Sequence, residues 1–136
     1  MIRILGLDVG SVRVGVALSD PLGLTAQPLE VIDRRGGDPF ARVVELVEKH
    51  GVQRIVVGKP LRLDGTAGRA VQSTEEFVQE LRRRVNIPVE MWDERLSTAE
   101  AERIMIDNGV SRNRRRKSID RIAAALILQS YLDAGR

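Results

Sequence analysis

The sequence of 136 residues contains no cysteine, which excludes disulfide bonds and thiolate zinc sites. Its aromatic residues are two phenylalanines, one tryptophan and one tyrosine, too few for the base-stacking platform of proteins that bind single strands. The single histidine, His50, ends a helical pattern, where it suits the helix dipole better than a role as metal ligand or base. No stretch approaches the ~20 apolar residues of a membrane-spanning helix. We therefore expect no membrane contact and a cytoplasmic location.

The composition is that of an ordinary globular protein. Hydrophobic residues make up 43% of the chain and charged residues 30%, a balance typical of soluble globular proteins, and the chain has no low-complexity tract. The length suits one domain, which we expect to span residues 1–136. The formal net charge is +3, with a dense basic run at 112–117. This uneven distribution indicates an anionic partner.

Periodic patterns predict an α/β fold. Alternating or continuously apolar segments indicate five strands, at residues 2–9, 12–19, 24–33, 53–58 and 87–93. Helical patterns occupy 39–50, 67–85 and 97–108, and a last helix is expected to begin at Ser118 after a basic loop at 111–117. The order β-β-β-α-β-α-β-α-α predicts a mixed five-stranded sheet, with three antiparallel strands followed by two parallel ones and helices on both faces.

Three residues mark boundaries within this pattern. Asp38 precedes a proline and is expected to cap the first helix. Gly51 follows two basic residues and is expected to end the same helix. Pro28 interrupts the third strand near its start.

Acidic residues interrupt the apolar patterns at three places. Asp8 ends the first strand, the Asp93-Glu94 pair ends the last strand, and Asp120 lies between apolar residues at the start of the last helix. Ligands of open α/β sheets bind beyond the carboxyl ends of parallel strands. Converging carboxylates there suit hard divalent cations, and two such ions can promote phosphodiester hydrolysis. Each acid also has a simpler explanation: a capped turn for Asp8, a solvated strand end for Asp93 or Glu94, and the helix dipole for Asp120.

Basic residues are expected at the same edge of the sheet. One follows the central strand, one follows Glu94, and a run of cations precedes Asp120. Cations beside a metal site fit a polyanionic substrate whose phosphates must be held near it. A solvated, flexible charge run is the alternative. The candidate nucleic-acid-binding residues are Lys59, Arg95, Arg112, Arg114, Arg115, Arg116 and Lys117.

The turn after Asp8 is compatible with a different function. Gly10 either lets the backbone turn tightly or lets a phosphate come close. The segment Asp8-Val9-Gly10-Ser11 is similar to the first phosphate loop of actin-like and sugar-kinase ATPases, in which amides and a hydroxyl hold nucleotide phosphates. Those proteins close two such lobes on a nucleotide, whereas 136 residues supply one lobe.

Four motifs, in order along residues 3–132, resemble the YqgF (RuvX) family. They are Gly6-Leu7-Asp8-Val9-Gly10, Val57-Gly58-Lys59-Pro60-Leu61 with Asp64-Gly65, Asp93-Glu94-Arg95-Leu96-Ser97-Thr98, and Lys117-Ser118-Ile119-Asp120 with Ala123-Ala124. The resemblance implies an RNase H-like fold and a nuclease that processes the 5′ end of the 16S ribosomal RNA precursor. It also implies a relationship to Holliday-junction resolvases.

Carried over by position, the resemblance implies that Asp8, Glu94 and Asp120 are the catalytic and metal-binding acids, with Mg²⁺ or Mn²⁺ as cofactor. Junction resolvases of this fold place an acid where this chain has Gly58, so Glu94 would substitute for it one strand later. We expect a metal-dependent nuclease that hydrolyses phosphodiester bonds in structured RNA, as a monomer or weak homodimer. The alternatives are a Holliday-junction resolvase acting on branched DNA, and a non-catalytic RNA-binding factor in ribosome assembly.

Overall fold

The computed structural model describes residues 2–59, 69–93 and 112–135, with the backbone alone at 69–70 and 112–121. The helix predicted at 97–108 lies outside these residues. The described elements, in chain order, are β1 (Ile4–Val9), β2 (Arg13–Ser19), β3 (Ala26–Asp33), α1 (Pro39–His50), β4 (Arg54–Lys59), α2 (Arg69–Arg84), β5 (Val89–Asp93) and α3 (Arg112–Ala134). All five predicted strands are present.

The five strands form one mixed sheet in the order β3-β2-β1-β4-β5. The pairs β1–β2 and β2–β3 are antiparallel, whereas β1–β4 and β4–β5 are parallel. The predicted arrangement of strands is therefore confirmed. β4 lies inside the sheet because consecutive residues, Ile55, Val56 and Val57, are apolar and are buried on both of its faces.

Helices cover both faces of the sheet, as predicted. One face packs against α1 and α2 through residues such as Leu7, Val57 and Leu81. The other packs against α3 through residues such as Ile4 and Leu128. We call these the α1/α2 face and the α3 face. Of the helices in the described ranges, none has the length and apolar character needed to cross a bilayer.

α3 approaches β1 closely at Gly6. A Cβ atom at this position would lie 2.8 Å from Cβ of Leu128 and 3.2 Å from the carbonyl oxygen of Ala124. A methyl group in this space would push the helix away from the sheet, so glycine is the residue that permits the observed packing.

The predicted ends of α1 are also confirmed, and the third strand is irregular near Pro28, as expected. Oδ1 of Asp38 accepts hydrogen bonds from the backbone N–H groups of Phe40 at 3.0 Å and Ala41 at 3.4 Å. Gly51 ends α1 with a φ of 63°, the left-handed conformation that glycine adopts most easily. Pro28 lies in the edge strand β3, whose register with β2 shifts beside it, so the missing N–H disrupts no central strand.

α3 begins earlier than predicted. The basic residues 112–117, expected to form a loop, are helical, and Ser118 does not begin the helix. Arginine and lysine are good helix formers, and here their propensity outweighs the capping signal of Ser118. Asp120 therefore lies eight residues after Arg112, about 12 Å along the helix axis. Because the helix dipole acts mainly within the first turn, it does not explain an acid at this position.

Candidate functional site

Asp8 is the penultimate residue of the central strand β1 and is half-buried. Its neighbour on β2 is Gly15. The last parallel pair between β1 and β4 is Leu7 with Val57, and one further step of that register brings Asp8 level with Gly58. The carboxylate is therefore flanked, within the sheet, by two residues that have no side chain.

Asp8 lies on the α3 face of the sheet. Side chains alternate along a strand, and Gly6, two residues earlier, faces Ala124 of α3. The end of α3 packs over the start of β1, where Leu132 clusters with Ile4. The part of α3 that precedes Ala124 therefore extends toward the end of β1 that carries Asp8.

Asp120 belongs to the helical turn that approaches this end of the sheet. It precedes Ala124 by four residues, and positions i and i+4 lie on the same side of a helix. The structure thus brings Asp8 and the α3 turn that contains Asp120 to the same face and the same edge.

Lys59 and Asp93 end adjacent parallel strands and are register partners. Each follows, two residues later on its strand, a residue whose side chain packs on the α1/α2 face: Val57 before Lys59 and Met91 before Asp93. Residues two apart on a strand lie on the same face of the sheet. Lys59 is half-buried, and Asp93 is exposed. Both therefore lie at the same edge of the sheet as Asp8 but on its opposite face.

Several predicted site residues lie outside the part of the chain that the structure describes. They are Glu94 and Arg95, together with the side chains of Asp120, Arg112, Arg114, Arg115, Arg116 and Lys117. Among the side chains that are described, no group of three or more histidine, cysteine, aspartate or glutamate residues could hold a metal ion. The three-carboxylate metal site stays a prediction.

A backbone hydrogen bond closes the turn after Asp8. The N–H of Gly10 donates to the carbonyl oxygen of Arg13 at 2.8 Å. A Cβ atom at Gly10 would lie 2.8 Å from the same oxygen, so the turn requires glycine for steric reasons. This amide is engaged within the turn, which argues against the alternative in which the turn holds nucleotide phosphates.

Arg34 connects this turn to the end of β3 and to α2. Its backbone N–H donates to the carbonyl oxygen of Val12 at 2.8 Å, and its Nη1 donates to the carbonyl oxygen of Gly10 at 2.7 Å. The guanidinium carbon also lies 5.3 Å from the centroid of the Phe77 ring of α2, a cation–π contact. The turn after Asp8 is therefore held both by the end of β3 and by α2.

A second basic group lies at the end of β3. Nε and Nη2 of Arg35 donate to the two carboxylate oxygens of Asp33, each at 3.1 Å, and its backbone N–H donates to Oδ1 at 2.9 Å. These hydrogen bonds lower the pKa of Asp33 to about 2, with a smaller effect from the charge of Arg13, its register partner on β2.

The predicted site residues do not include these arginines. The signal in the sequence is the Arg34-Arg35 pair directly after the third strand. Their proximity to Asp8 depends on the pairing of β1 with β2 and of β2 with β3, which the pair itself does not reveal.

A cavity of about 480 Å³ lies at the other end of the sheet. Ile4 and Arg54, which begin β1 and β4, are part of its wall. Four residues along β1 separate Ile4 from Asp8, about 13 Å at the rise of a strand. This cavity is therefore not part of the candidate site. It is lined by Ile2, Ile4, Leu22, Gly23, Arg54, Tyr131, Leu132 and Gly135.

Known proteins match this chain over almost its whole length. A family model described as "RuvX: Holliday junction resolvase" matches residues 2–134. A protein of Symbiobacterium thermophilum named "Putative pre-16S rRNA nuclease" is 55% identical over 133 residues, which cover 97% of this chain and 92% of that protein. A protein of the same name from Geobacillus kaustophilus is 50% identical over 137 residues, which cover 98% of this chain and 99% of that protein.

Solved structures share the fold. The structure of "T. thermophilus RuvC in complex with Holliday junction substrate" is 18% identical, with a TM-score of 0.60 over 99% of this chain and 96% of that one. The yeast mitochondrial Holliday junction resolvase Ydc2 is 12% identical, with a TM-score of 0.52 over 96% of this chain and 78% of that one. These likenesses confirm the predicted RNase H-like fold. Since the family model spans residues 2–134 and relatives are half identical over nearly their full length, the chain belongs to the RuvX family of Holliday junction resolvases.

Proposed function

We propose that this chain is a metal-dependent nuclease that hydrolyses phosphodiester bonds during 5′-end processing of the 16S ribosomal RNA precursor. The observation that carries the proposal is the position of Asp8, a half-buried carboxylate at the end of a central strand, on the same face as the α3 turn that contains Asp120. A carboxylate in such a place requires a cation or several hydrogen-bond donors. The names of relatives that are 50% and 55% identical support this activity.

We infer that Asp8, Glu94 and Asp120 would hold Mg²⁺ or Mn²⁺. Carboxylate oxygens are the ligands that hard divalent cations prefer, and the glycines beside Asp8 place no competing side chain next to it. When bound, the metal would activate water and stabilise the leaving oxygen. The protein keeps the Asp8 carboxylate in position through the paired strand before it and the closed turn after it.

The register of β5 supports Glu94 rather than Asp93 as the second acid. Asp93 is the partner of Lys59 and lies on the α1/α2 face, away from Asp8. Successive residues of a strand lie on opposite faces, so a strand that continued by one residue would place Glu94 on the face of Asp8. Asp93 then acts as a charge beside Lys59 at the sheet edge.

Helical periodicity divides the basic run of α3 into two groups. Arg116 and Lys117 precede Asp120 by four and three residues, so their positions lie one turn earlier on the same side of the helix. Arg114 and Arg115 lie about 120–140° away around the axis, at 3.6 residues per turn. We propose that Arg116 and Lys117 contact the phosphates nearest the acids. The nucleic-acid phosphates farther from the acids would be bound by Lys59, Arg95, Arg112, Arg114 and Arg115.

Asp8→Asn tests the proposed chemistry. The substitution keeps the size of the side chain and removes its charge, so we expect a folded protein that does not cleave precursor RNA carrying the 5′ leader, with Mg²⁺ or Mn²⁺ present. The matched control is Asp133→Asn, which changes an exposed acid near the end of α3 and should cleave at the wild-type rate. Cleavage by the Asp8→Asn protein at the wild-type rate would contradict the proposal.

The description of the family model supports resolution of branched DNA as a second candidate function. Cleavage of precursor RNA and of a four-way DNA junction, measured side by side, distinguishes the two. Metal-independent RNA binding without cleavage would instead favour a non-catalytic assembly factor.

We propose that residues 1–136 form one domain that acts on structured RNA in the cytoplasm as a monomer or weak homodimer. A resolvase that cuts two strands symmetrically would be suited by a two-fold dimer. Sedimentation of the protein, alone and with each nucleic acid, tests this assignment, and a stable dimer in all three samples would contradict it.

A further inference from the structure

Three arginines lie at the turn that follows Asp8 or at the neighbouring end of β3. Arg13 begins β2, and Arg34 and Arg35 follow Asp33, the last residue of β3. We call these three arginines and Asp33 the β3 rim. Three guanidinium groups and one carboxylate give the rim an excess of positive charge. It lies on the β2–β3 side of Asp8, whereas Lys59, at the end of β4, lies on the other side.

Strand register places Arg13 near Asp8. Asp8 pairs with Gly15, and Arg13 precedes Gly15 by two residues, so Arg13 and Asp8 both belong to the α3 face. Diagonal neighbours of this kind are about 7–8 Å apart, and Gly15 places no side chain between them. A phosphate bound beside Asp8 is therefore within reach of the long Arg13 side chain.

Asp33 holds Arg35 in a fixed orientation. Two side-chain donors and the backbone N–H of Arg35 bind the Asp33 carboxylate, while the side chain stays 71% exposed. A guanidinium group has five donors, so three remain beyond the pair with Asp33. A planar group ordered in this way is well suited to the bidentate recognition of phosphate. Arg34 has a different role, because it donates to Gly10 and packs on Phe77.

We propose that Arg13 and Arg35 bind the phosphates of a nucleic-acid strand that runs from Asp8 across β2 to the end of β3. The proposal rests on the nuclease function proposed above and extends it to the path of the substrate. Two strand spacings separate β1 from β3, so the rim would contact the bound strand over about 10 Å. The aromatic ring next to the rim, Phe77, is 3% exposed and does not offer a base a stacking surface. The expected contacts are therefore to the backbone and carry no sequence preference.

Salt-dependent binding tests the rim without requiring cleavage. In the Asp8→Asn background, the affinity for fluorescently labelled leader RNA is measured over a series of KCl concentrations. The double variant Arg13→Gln/Arg35→Gln should bind the RNA more weakly. The slope of log affinity against log salt concentration should fall by about 1.4, because each phosphate contact with a single strand contributes about 0.7. Arg13→Gln alone leaves the Asp33–Arg35 pair intact and should reduce the slope by about 0.7, which keeps the test valid if the double variant does not fold.

Arg83→Gln is the matched control. Arg83 is 73% exposed and pairs with Glu80 at 3.1 Å, as Arg35 pairs with Asp33 at 3.1 Å, but it lies on α2. Its replacement should leave the affinity and the slope unchanged. Rim variants that bind like the Arg83→Gln protein would overturn the proposal. The two proposals fail separately: cleavage by Asp8→Asn overturns the chemistry, whereas an unchanged salt slope overturns the rim.

Discussion

Gly6→Ala tests whether the close contact between α3 and β1 sets the geometry of the candidate site. The added methyl carbon would lie 2.8 Å from Cβ of Leu128 and 3.2 Å from the carbonyl oxygen of Ala124. Carbon atoms in contact prefer separations of about 3.5–4.0 Å, so the helix and the strand must move apart by roughly 1 Å. The neighbouring atoms are a helix backbone oxygen and a Cβ, neither of which can rotate away.

The energetic cost follows from two opposing effects. Overpacking of a core costs about 1–3 kcal/mol. Replacement of glycine by alanine restricts the unfolded chain and recovers about 0.4–1 kcal/mol. We therefore expect the free energy of unfolding to fall by about 1–2 kcal/mol, and the melting temperature to fall by roughly 3–8 °C.

The loss of cleavage rate in Gly6→Ala should exceed what its loss of folding stability accounts for. Asp120 lies one helical turn before Ala124, so a displacement of the helix at Gly6 is carried toward Asp120. A misplacement of about 1 Å in a catalytic site can cost about 100-fold in rate. Single-turnover cleavage, measured well below the melting temperature, should fall by about that factor.

Gly135→Ala provides the matched control, because its added carbon would lie 3.8 Å from the nearest atoms, an ordinary contact. It should change neither stability nor cleavage. If Gly6→Ala has wild-type stability, the close packing is refuted. If it is destabilised but cleaves at the wild-type rate, the packing stands and its link to the site is refuted.

Three further predictions concern other residues. The pKa of Asp33, measured by carboxyl NMR, should be about 2 and should rise toward 3.8 in Arg35→Ala. Because folding lowers this pKa, the Asp33–Arg35 pair stabilises the fold above pH 3.8, and this stability is lost as the pH falls toward 2. Phe77→Ala should lower the free energy of unfolding in urea by about 3–5 kcal/mol, since the ring is buried, and a loss below about 1 kcal/mol would contradict its core position. Arg116→Ala should raise the KM for RNA more than Arg115→Ala, whereas equal effects would contradict the helical argument.

Local signals predict the elements whose residues all favour one structure. The continuous apolar run at Ile55, Val56 and Val57 indicates an interior parallel strand, and β4 is one. Asp38 begins α1 by accepting hydrogen bonds from nearby backbone N–H groups, and Gly51 ends it in a left-handed conformation. Both ends are predictable because each depends only on residues close in the sequence. The start of α3 is mispredicted because two local signals compete there. Ser118 favours a helix start, whereas the basic residues before it favour helix, and the sequence does not say which is stronger.

The β3 rim could not be predicted because it depends on a register shift. Near the start of β3, Ala17 pairs with Pro28, whereas at its end Arg13 pairs with Asp33. Without the one-residue shift beside Pro28, Arg13 would pair with Ile32 instead. A slip of one residue moves side chains to the other face, so the shift decides that an acid rather than an apolar residue lies beside Arg13.

The residues of β1 on the α3 face link the close packing of α3 at Gly6 to the position of the acid Asp8. Ile4 fills the core beneath α3, Gly6 lets the helix approach, and Asp8 follows where the helix has been brought near. Carboxylates from separate elements can share a divalent cation only if their oxygens reach about 2.0–2.6 Å from it. The separation between the sheet and α3 is therefore a condition for the chemistry proposed for Asp8 and Asp120. A substitution at Gly6 should impair activity before it unfolds the protein, although Gly6 itself has no functional group.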